Sequence, residues 1–422
     1  MNSLKRKGIK NIITFISTII IVLLMLLQIA FLSVAGANII NKTTIGKSAN
    51  VNDITPFINS SSSNAGYVKY TLFLNNNSLL YGNIIGKRNI YHSSEVTYPT
   101  GVAYDPFNNY VYVADGNSNK VSVINGATNI VIASIKVGSY PWEVAYDSAN
   151  NYLYVCNGGS NNVSVINGNT NTVIASIMVG PSPHAATYDP SNNYIYVANE
   201  GSNNVSVING ATNSVIGTIT VGYGPMGVAY DLFNNYVYVA NSNIYSVIYG
   251  IYTVSVINDT NNSVIATISV GSFPVAVAYD SANNYIYVAN DGAKNVSVIN
   301  CTTNTVTTAI SVGSVPYAVA YDSANNYIYV ANLYSSNVSV INCTKNSVIA
   351  NINVGLWPDA VAYDSANNYI YVANTGSNSI SIISEYENNP YSLLIGMIAI
   401  IIVVALMAVG FVMGIRKIKG RY

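Results

Sequence analysis

Ala278-Tyr279-Asp280-Ser281-Ala282-Asn283-Asn284-Tyr285-Ile286-Tyr287-Val288-Ala289-Asn290 decides the fold, because its frame, Tyr-Asp followed closely by Asn-Asn-Tyr, returns seven times. The tyrosines before the aspartates are Tyr104, Tyr146, Tyr188, Tyr230, Tyr279, Tyr321 and Tyr363; five of the six gaps are 42 residues and the fourth is 49. A period of about 40 to 45 residues is the length of one four-stranded propeller blade. The spacing therefore predicts an all-β protein, a seven-bladed ring of four-stranded blades.

Working outward from the repeated frame, each copy reads as four strands, A to D. In the third copy Ala186-Thr187-Tyr188-Asp189 ends strand A and Pro190-Ser191-Asn192-Asn193 turns. Tyr194-Ile195-Tyr196-Val197-Ala198 is strand B, alternating aromatic and aliphatic with the period of two that a strand imposes. Val205-Ser206-Val207-Ile208 is strand C, and strand D lies around Val215-Ile216-Gly217-Thr218-Ile219. Blades stacked face to face bury both sides of a sheet, so neither face of strand B is charged. Tyrosines that recur in every copy, such as Tyr104, Tyr110 and Tyr112, read as inter-blade packing. Asp105, Asp147, Asp189, Asp231, Asp280, Asp322 and Asp364 each precede a turn, where a short carboxylate accepts backbone N–H bonds. Their reading is structural.

The repeat resembles the YVTN-type β-propeller repeat of archaeal and bacterial surface proteins. The matching residues are Tyr285-Ile286-Tyr287-Val288-Ala289-Asn290 followed by Asn295-Val296-Ser297-Val298-Ile299-Asn300, and the resemblance spans about residues 95 to 384. It implies a seven-bladed propeller at the cell surface and says little of activity, since propellers host enzymes, binders and scaffolds alike.

Charge is sorted along the chain. Lys5, Arg6, Lys7 and Lys10 precede an apolar run from Ile12 to Ala35; Arg416, Lys417, Lys419 and Arg421 follow a second run from Leu393 to Ile415. Both are long enough to span a bilayer as a helix, and basic flanks stay cytoplasmic. The expected organisation is a signal peptide or signal anchor over 1–37, with a small-residue cleavage pattern at Ala35-Gly36-Ala37. An extracellular segment over 38–76 and the propeller over 77–384 follow. A linker over 385–391, a transmembrane helix over 392–415 and a cytoplasmic tail over 416–422 complete the chain. Residues 100–384 hold four basic and thirteen acidic side chains, which excludes a phosphate-neutralising patch and with it nucleic-acid binding. The three cysteines, Cys156, Cys301 and Cys343, form no disulfide framework. Eleven Asn-x-Ser/Thr sequons are about what this asparagine-rich composition gives by chance, so glycosylation is plausible only from the expected location.

The seventh copy ends after strand C, at Ile380-Ser381-Ile382-Ile383. Residues 77–86 resemble a strand D and are expected to donate the missing outer strand. A competing register uses Ile90-Tyr91-His92, and the Tyr67–Leu74 stretch is left without a partner. The chain then leaves on the face of the A–B turns, which is expected to look toward the membrane; the face of the D–A and B–C connections looks outward.

Copies differ mainly on that outward face. After the D–A prolines stand Thr100, Trp142, His184, Met226, Val275, Tyr317 and Asp359; before them stand, among others, Tyr98, Tyr140, Phe273 and Trp357. Glu143 adds a carboxylate, and the seven-residue insertion of blade four brings Tyr245, Tyr249 and Tyr252. Tyr140, Trp142, Glu143, His184, Phe273, Tyr317, Trp357 and Asp359 are thus the candidate ligand-binding residues. Exposed aromatics with a few acids suit carbohydrate or protein contact; the plainer alternative is that they plug the channel. His184 has no second histidine or cysteine at ligand spacing, so neither a metal site nor a cofactor is expected. Strand A, as in Val275-Ala276-Val277-Ala278, is mostly small and apolar, so the expectation is a non-catalytic binding or surface-layer-like protein. An enzyme of the lactonase or isomerase type is the runner-up, and a purely structural surface-layer component the third option.

Overall fold

The computed structural model describes residues 96–242 and 251–384, together with the backbone of strands at 73–75, 78–80 and 86–91. Seven antiparallel four-stranded sheets make up the ring, six of them meanders in chain order from strand A to strand D and the seventh completed by an outer strand from earlier in the chain. Blade 1 consists of Pro99–Asp105, Tyr110–Asp115, Lys120–Asn125 and Ile130–Lys136, and blades 2 to 6 repeat it. Strands B and C are almost wholly buried, whereas strand D carries exposed aliphatics such as Ile132, Ile174 and Ile216.

Apolar clusters lie between blades. One joins Tyr196, Ala198 and Val205 of blade 3 to Val228, Val237 and Val239 of blade 4. Another joins Tyr371 and Ala373 of blade 7 to Val102, Val111 and Val113 of blade 1, closing the ring. The mid-strand-B tyrosine is fully buried in every blade, and a buried phenol needs a partner. It reaches the next blade: Tyr112 donates to Asn171 at 2.7 Å, Tyr154 to Asn213 at 2.8 Å and Tyr196 to Asn262 at 2.8 Å. At the seam Tyr371 donates to Asn129. The accepting asparagines sit in left-handed turns, with φ between 51° and 58° at these four positions, a conformation asparagine tolerates better than most residues. Cys156, Cys301 and Cys343 are free and buried, so packing and hydrogen bonds hold the ring.

The donated strand is corrected. Gly86–Tyr91, and not 77–86, pairs with strand C of blade 7 (Ser379–Ser384), Gly86 opposite Ser384 and Tyr91 opposite Ile380. A strand ending at residue 86 would need a much longer reach to Pro99 than other blades use between strands D and A. Ser78–Leu80 instead folds back on Phe73–Asn75 in a local hairpin, which gives part of the stretch left without a partner its pairing at little loop-closure cost. Gly86 and Ser384 put chain entry and exit on the same face. The expected terminal helices lie outside the described residues, and no helix among the described residues is long and apolar enough to cross a membrane.

Candidate functional site

The A–B turns are uniform. Asp189, for example, accepts from the Ser191 amide at 2.8 Å, the Asn192 amide at 3.3 Å and the Asn192 side chain at 3.2 Å. The same pattern recurs at Asp105, Asp147, Asp231, Asp280, Asp322 and Asp364. All seven are buried beneath these donors, and so have no free surface for a ligand.

The opposite face is built by two backbone devices. The residue before each D–A proline is left-handed, with φ of 54° at Tyr98, 52° at Tyr140, 52° at Phe273, 57° at Val315 and 54° at Trp357. Bulky residues pay for that conformation. It is held because each carbonyl accepts from the B–C turn, as Tyr140 does from the Gly158 amide at 3.0 Å and Trp357 from the Thr375 amide at 2.9 Å. Immediately after the proline every strand A has a β-bulge, between Pro141 and Glu143 in blade 2 and between Pro358 and Ala360 in blade 7. Bulges re-aim side chains, and the bulged residues are the variable set: Thr100, Trp142, His184, Met226, Val275, Tyr317 and Asp359. These seven, with Glu143, line a cavity of about 150 Å³ at the channel.

Rings run along part of its edge. Tyr98 and Tyr140 have centroids 6.3 Å apart, Tyr140 meets Trp142 edge-on at 5.0 Å, and Trp142 stacks on His184 at 5.0 Å. Burial lowers the His184 pKa, although Glu200 and the Met226 backbone oppose the shift; the imidazole is neutral near pH 7. Its Nε2 is buried without a partner. Glu143 and Asp359 also face the cavity. Burial first, then the Asp359 charge, raises the Glu143 carboxyl to about 8 against an opposing Val144 amide. Burial raises Asp359 to about 7 even though Thr375 donates to it at 3.1 Å.

Six of the eight candidate residues converge: Trp142, Glu143, His184, Tyr317 and Asp359 in the cavity, and Tyr140 against Trp142. Phe273 and Trp357 do not line it. Trp357 is 51% exposed and packs over Gly376 of the B–C turn; Phe273 pairs instead with Tyr252 of the insertion at 4.9 Å. Tyr245 and Tyr249 lie outside the described residues, as does His92. Two conclusions from sequence change. The tryptophans do not share one setting, since only Trp142 faces the channel. Strand A is also less inert than its small residues imply, because the bulges bring two acids and a histidine to one cavity. Thr375 and Glu200 escaped notice. They occupy the first position after strand B, where the copies read Gly116, Gly158, Glu200, Ser242, Asp291, Leu333 and Thr375, a variation as informative as that after the prolines.

Seven closed blades around a lined channel mouth define a seven-bladed β-propeller. The chain belongs to the YNCE-like beta-propeller family, which matches residues 118–385. No curated protein sequence matches. Among solved structures the chain is similar to the Kuenenia stuttgartiensis hydrazine synthase, at 20% identity and a TM-score of 0.63 over 70% of this chain and 97% of that one. At that identity the likeness speaks for the fold.

Proposed function

We propose that this protein is a non-catalytic binding propeller that engages an extracellular carbohydrate or protein through the face carrying the D–A and B–C connections. One observation carries the reading. Residues that differ between copies are turned by the bulges into one cavity edged by stacked rings, while the opposite turns repeat almost unchanged. Aromatic faces beside a few acids suit sugar and protein surfaces. Membrane anchoring belongs to the same proposal. It rests on the two apolar runs with basic flanks and on the neighbouring entry and exit points of the ring, which leave the bulged face turned outward. Protease accessibility of the propeller on intact cells tests the placement, and protection until lysis contradicts it.

Binding is tested on glycan and peptide arrays with the wild type and with Trp142→Ala and Trp357→Ala. Loss of about 2 kcal/mol or more at a true hot spot is expected, with folding preserved because neither tryptophan belongs to the repeated core. Unfolding of the double variant would make them packing residues. A hydrolase or isomerase is the second reading, favoured by Glu143, Asp359 and His184 sharing a cavity with carboxyl pKa values displaced toward neutrality. Lactone turnover abolished by Glu143→Gln would establish it.

A further inference from the structure

Glu143 and Asp359 are one-off acids. The Glu143 position is Gly101, Ala185, Gly227, Ala276, Ala318 or Ala360 in other blades, and the Asp359 position is never acidic elsewhere. Blade 1 separates them and presents only Thr100 and Gly101. A Cβ on Gly101 would lie 2.7 Å from the Glu143 Cα, so glycine is what lets blade 1 pack this closely on the strand that carries the acid. Two hydroxyls fix the frame: Thr100 donates to the Pro141 carbonyl at 2.7 Å, and Thr375 to the Pro99 carbonyl at 2.8 Å.

The acids are under-satisfied. Asp359 is 8% exposed; its Oδ2 lies 3.1 Å from the Thr375 hydroxyl, whose one proton it shares with the Pro99 carbonyl, and no donor among the described residues reaches Oδ1. Among the described residues Glu143 receives only the Val144 amide, at 3.4 Å. The other titratable groups facing them are Tyr317, Tyr98, Tyr140 and His184, with Glu200 and Asp291 near Tyr317. Among the described residues no lysine or arginine lines the cavity. Glu143 is half-buried and Asp359 buried; carboxylates short of donors in such a setting are costly, and this pair is absent from every other copy of the repeat.

We infer that this cavity is a site for a primary ammonium group, held between the Glu143 and Asp359 carboxylates and against the Trp142 ring. The inference rests on the binding reading above and names the chemistry of its ligand. An ammonium brings three donors to the unpaired oxygens, and an indole face attracts a cation. A metal ion fits less well, because among the described residues no three His, Cys, Asp or Glu side chains are placed to hold one together. The volume is about that of five waters at ~30 Å³ each, enough for an aminoalkyl end or the amino edge of a sugar.

Isothermal titration of the propeller at pH 8 tests this with two amines, Nα-acetyl-lysine methylamide and glucosamine, each beside its N-acetylated neutral counterpart. Saturable binding of at least one amine and not of its counterpart is expected, and the amine that binds tells a peptide source from an amino-sugar source. Glu143→Gln and Asp359→Asn should each weaken that binding by about tenfold or more, as loss of a charged hydrogen bond does. Melting curves should show both variants folded, since each amide keeps the size and shape of the acid it replaces and removes a charge that is short of donors. Equal binding of the neutral compounds, no binding of either amine, or unchanged affinity in both variants overturns the inference. Failure here together with array binding that still depends on Trp142 leaves the binding reading standing; loss of both removes it.

Discussion

At the scale of single residues, seven copies of one environment make each exception interpretable. Strand B ends in asparagine in six blades, where, for example, Asn199 donates to Asn204 at 2.8 Å and Ser206 at 2.9 Å. In blade 1 the residue is Asp115, fully buried, accepting from Ser122 at 2.6 Å and from the Thr97 amide at 3.3 Å. Burial raises its pKa from 3.8 to about 7, with Ser122, Thr97 and Lys120 opposing. The folded state therefore holds a proton that the unfolded chain releases near pH 4. The penalty is absent below that pH, grows as pH rises, and is complete above about 7. Asp115→Asn should accordingly stabilise the propeller at pH 8 by on the order of 2 kcal/mol and change little at pH 4. Thermal melts at the two pH values check this; equal shifts at both would show that charge is not the cause. The turn aspartates make the opposite case. Asp189→Ala leaves two amides without their acceptor and should cost about 1 to 3 kcal/mol, measurable by denaturant unfolding.

At the scale of elements, the strand pattern was open to reading because period-two alternation and Asn-Asn turns leave direct marks in the sequence. The bulge after each proline was not, since the residues there range from Thr100 to Trp142 to Asp359 and share no composition. Their common geometry is set by the preceding left-handed residue and its hydrogen bond to the B–C turn, which no side-chain type announces. Only Gly224 marks it, with φ of 58°. Val315 holds the same conformation at φ 57° with a β-branched side chain, a strained choice. Val315→Gly should therefore stabilise blade 6 by about 1 kcal/mol, the relief of strain exceeding the entropy glycine adds to the unfolded chain. A raised melting temperature is the expected result, and a lowered one would mean that Val315 packing outweighs its strain.

At the scale of the whole molecule, the count of blades followed from the repeat, but the closing strand was legible only as the competing register, whose Ile90 and Tyr91 end the observed strand. Residues 77–86 look more like a strand D than Gly86–Tyr91 does, yet reach and local hairpin pairing selected the latter. Deleting 86–91 should expose strand C of blade 7 as a bare edge and drive self-association. Deleting 73–80 should leave a monomeric ring, and light scattering separates the two outcomes. The candidate site was legible as a list of non-repeated residues around the prolines. What the list lacked was the sorting of Trp142 into the cavity and Trp357 onto the surface, because that depends on which side of a bulge each residue stands. The most direct test of the central claim gives the mouth the residues of blade 5, where Val275-Ala276 follows the proline. Trp142→Val, Glu143→Ala, His184→Val and Asp359→Val are combined, and the variant is compared with the wild type on the same glycan and peptide array. The account predicts a folded ring, at least as stable at pH 8, that has lost the wild type's binding. A folded variant that binds the array as the wild type does would contradict it.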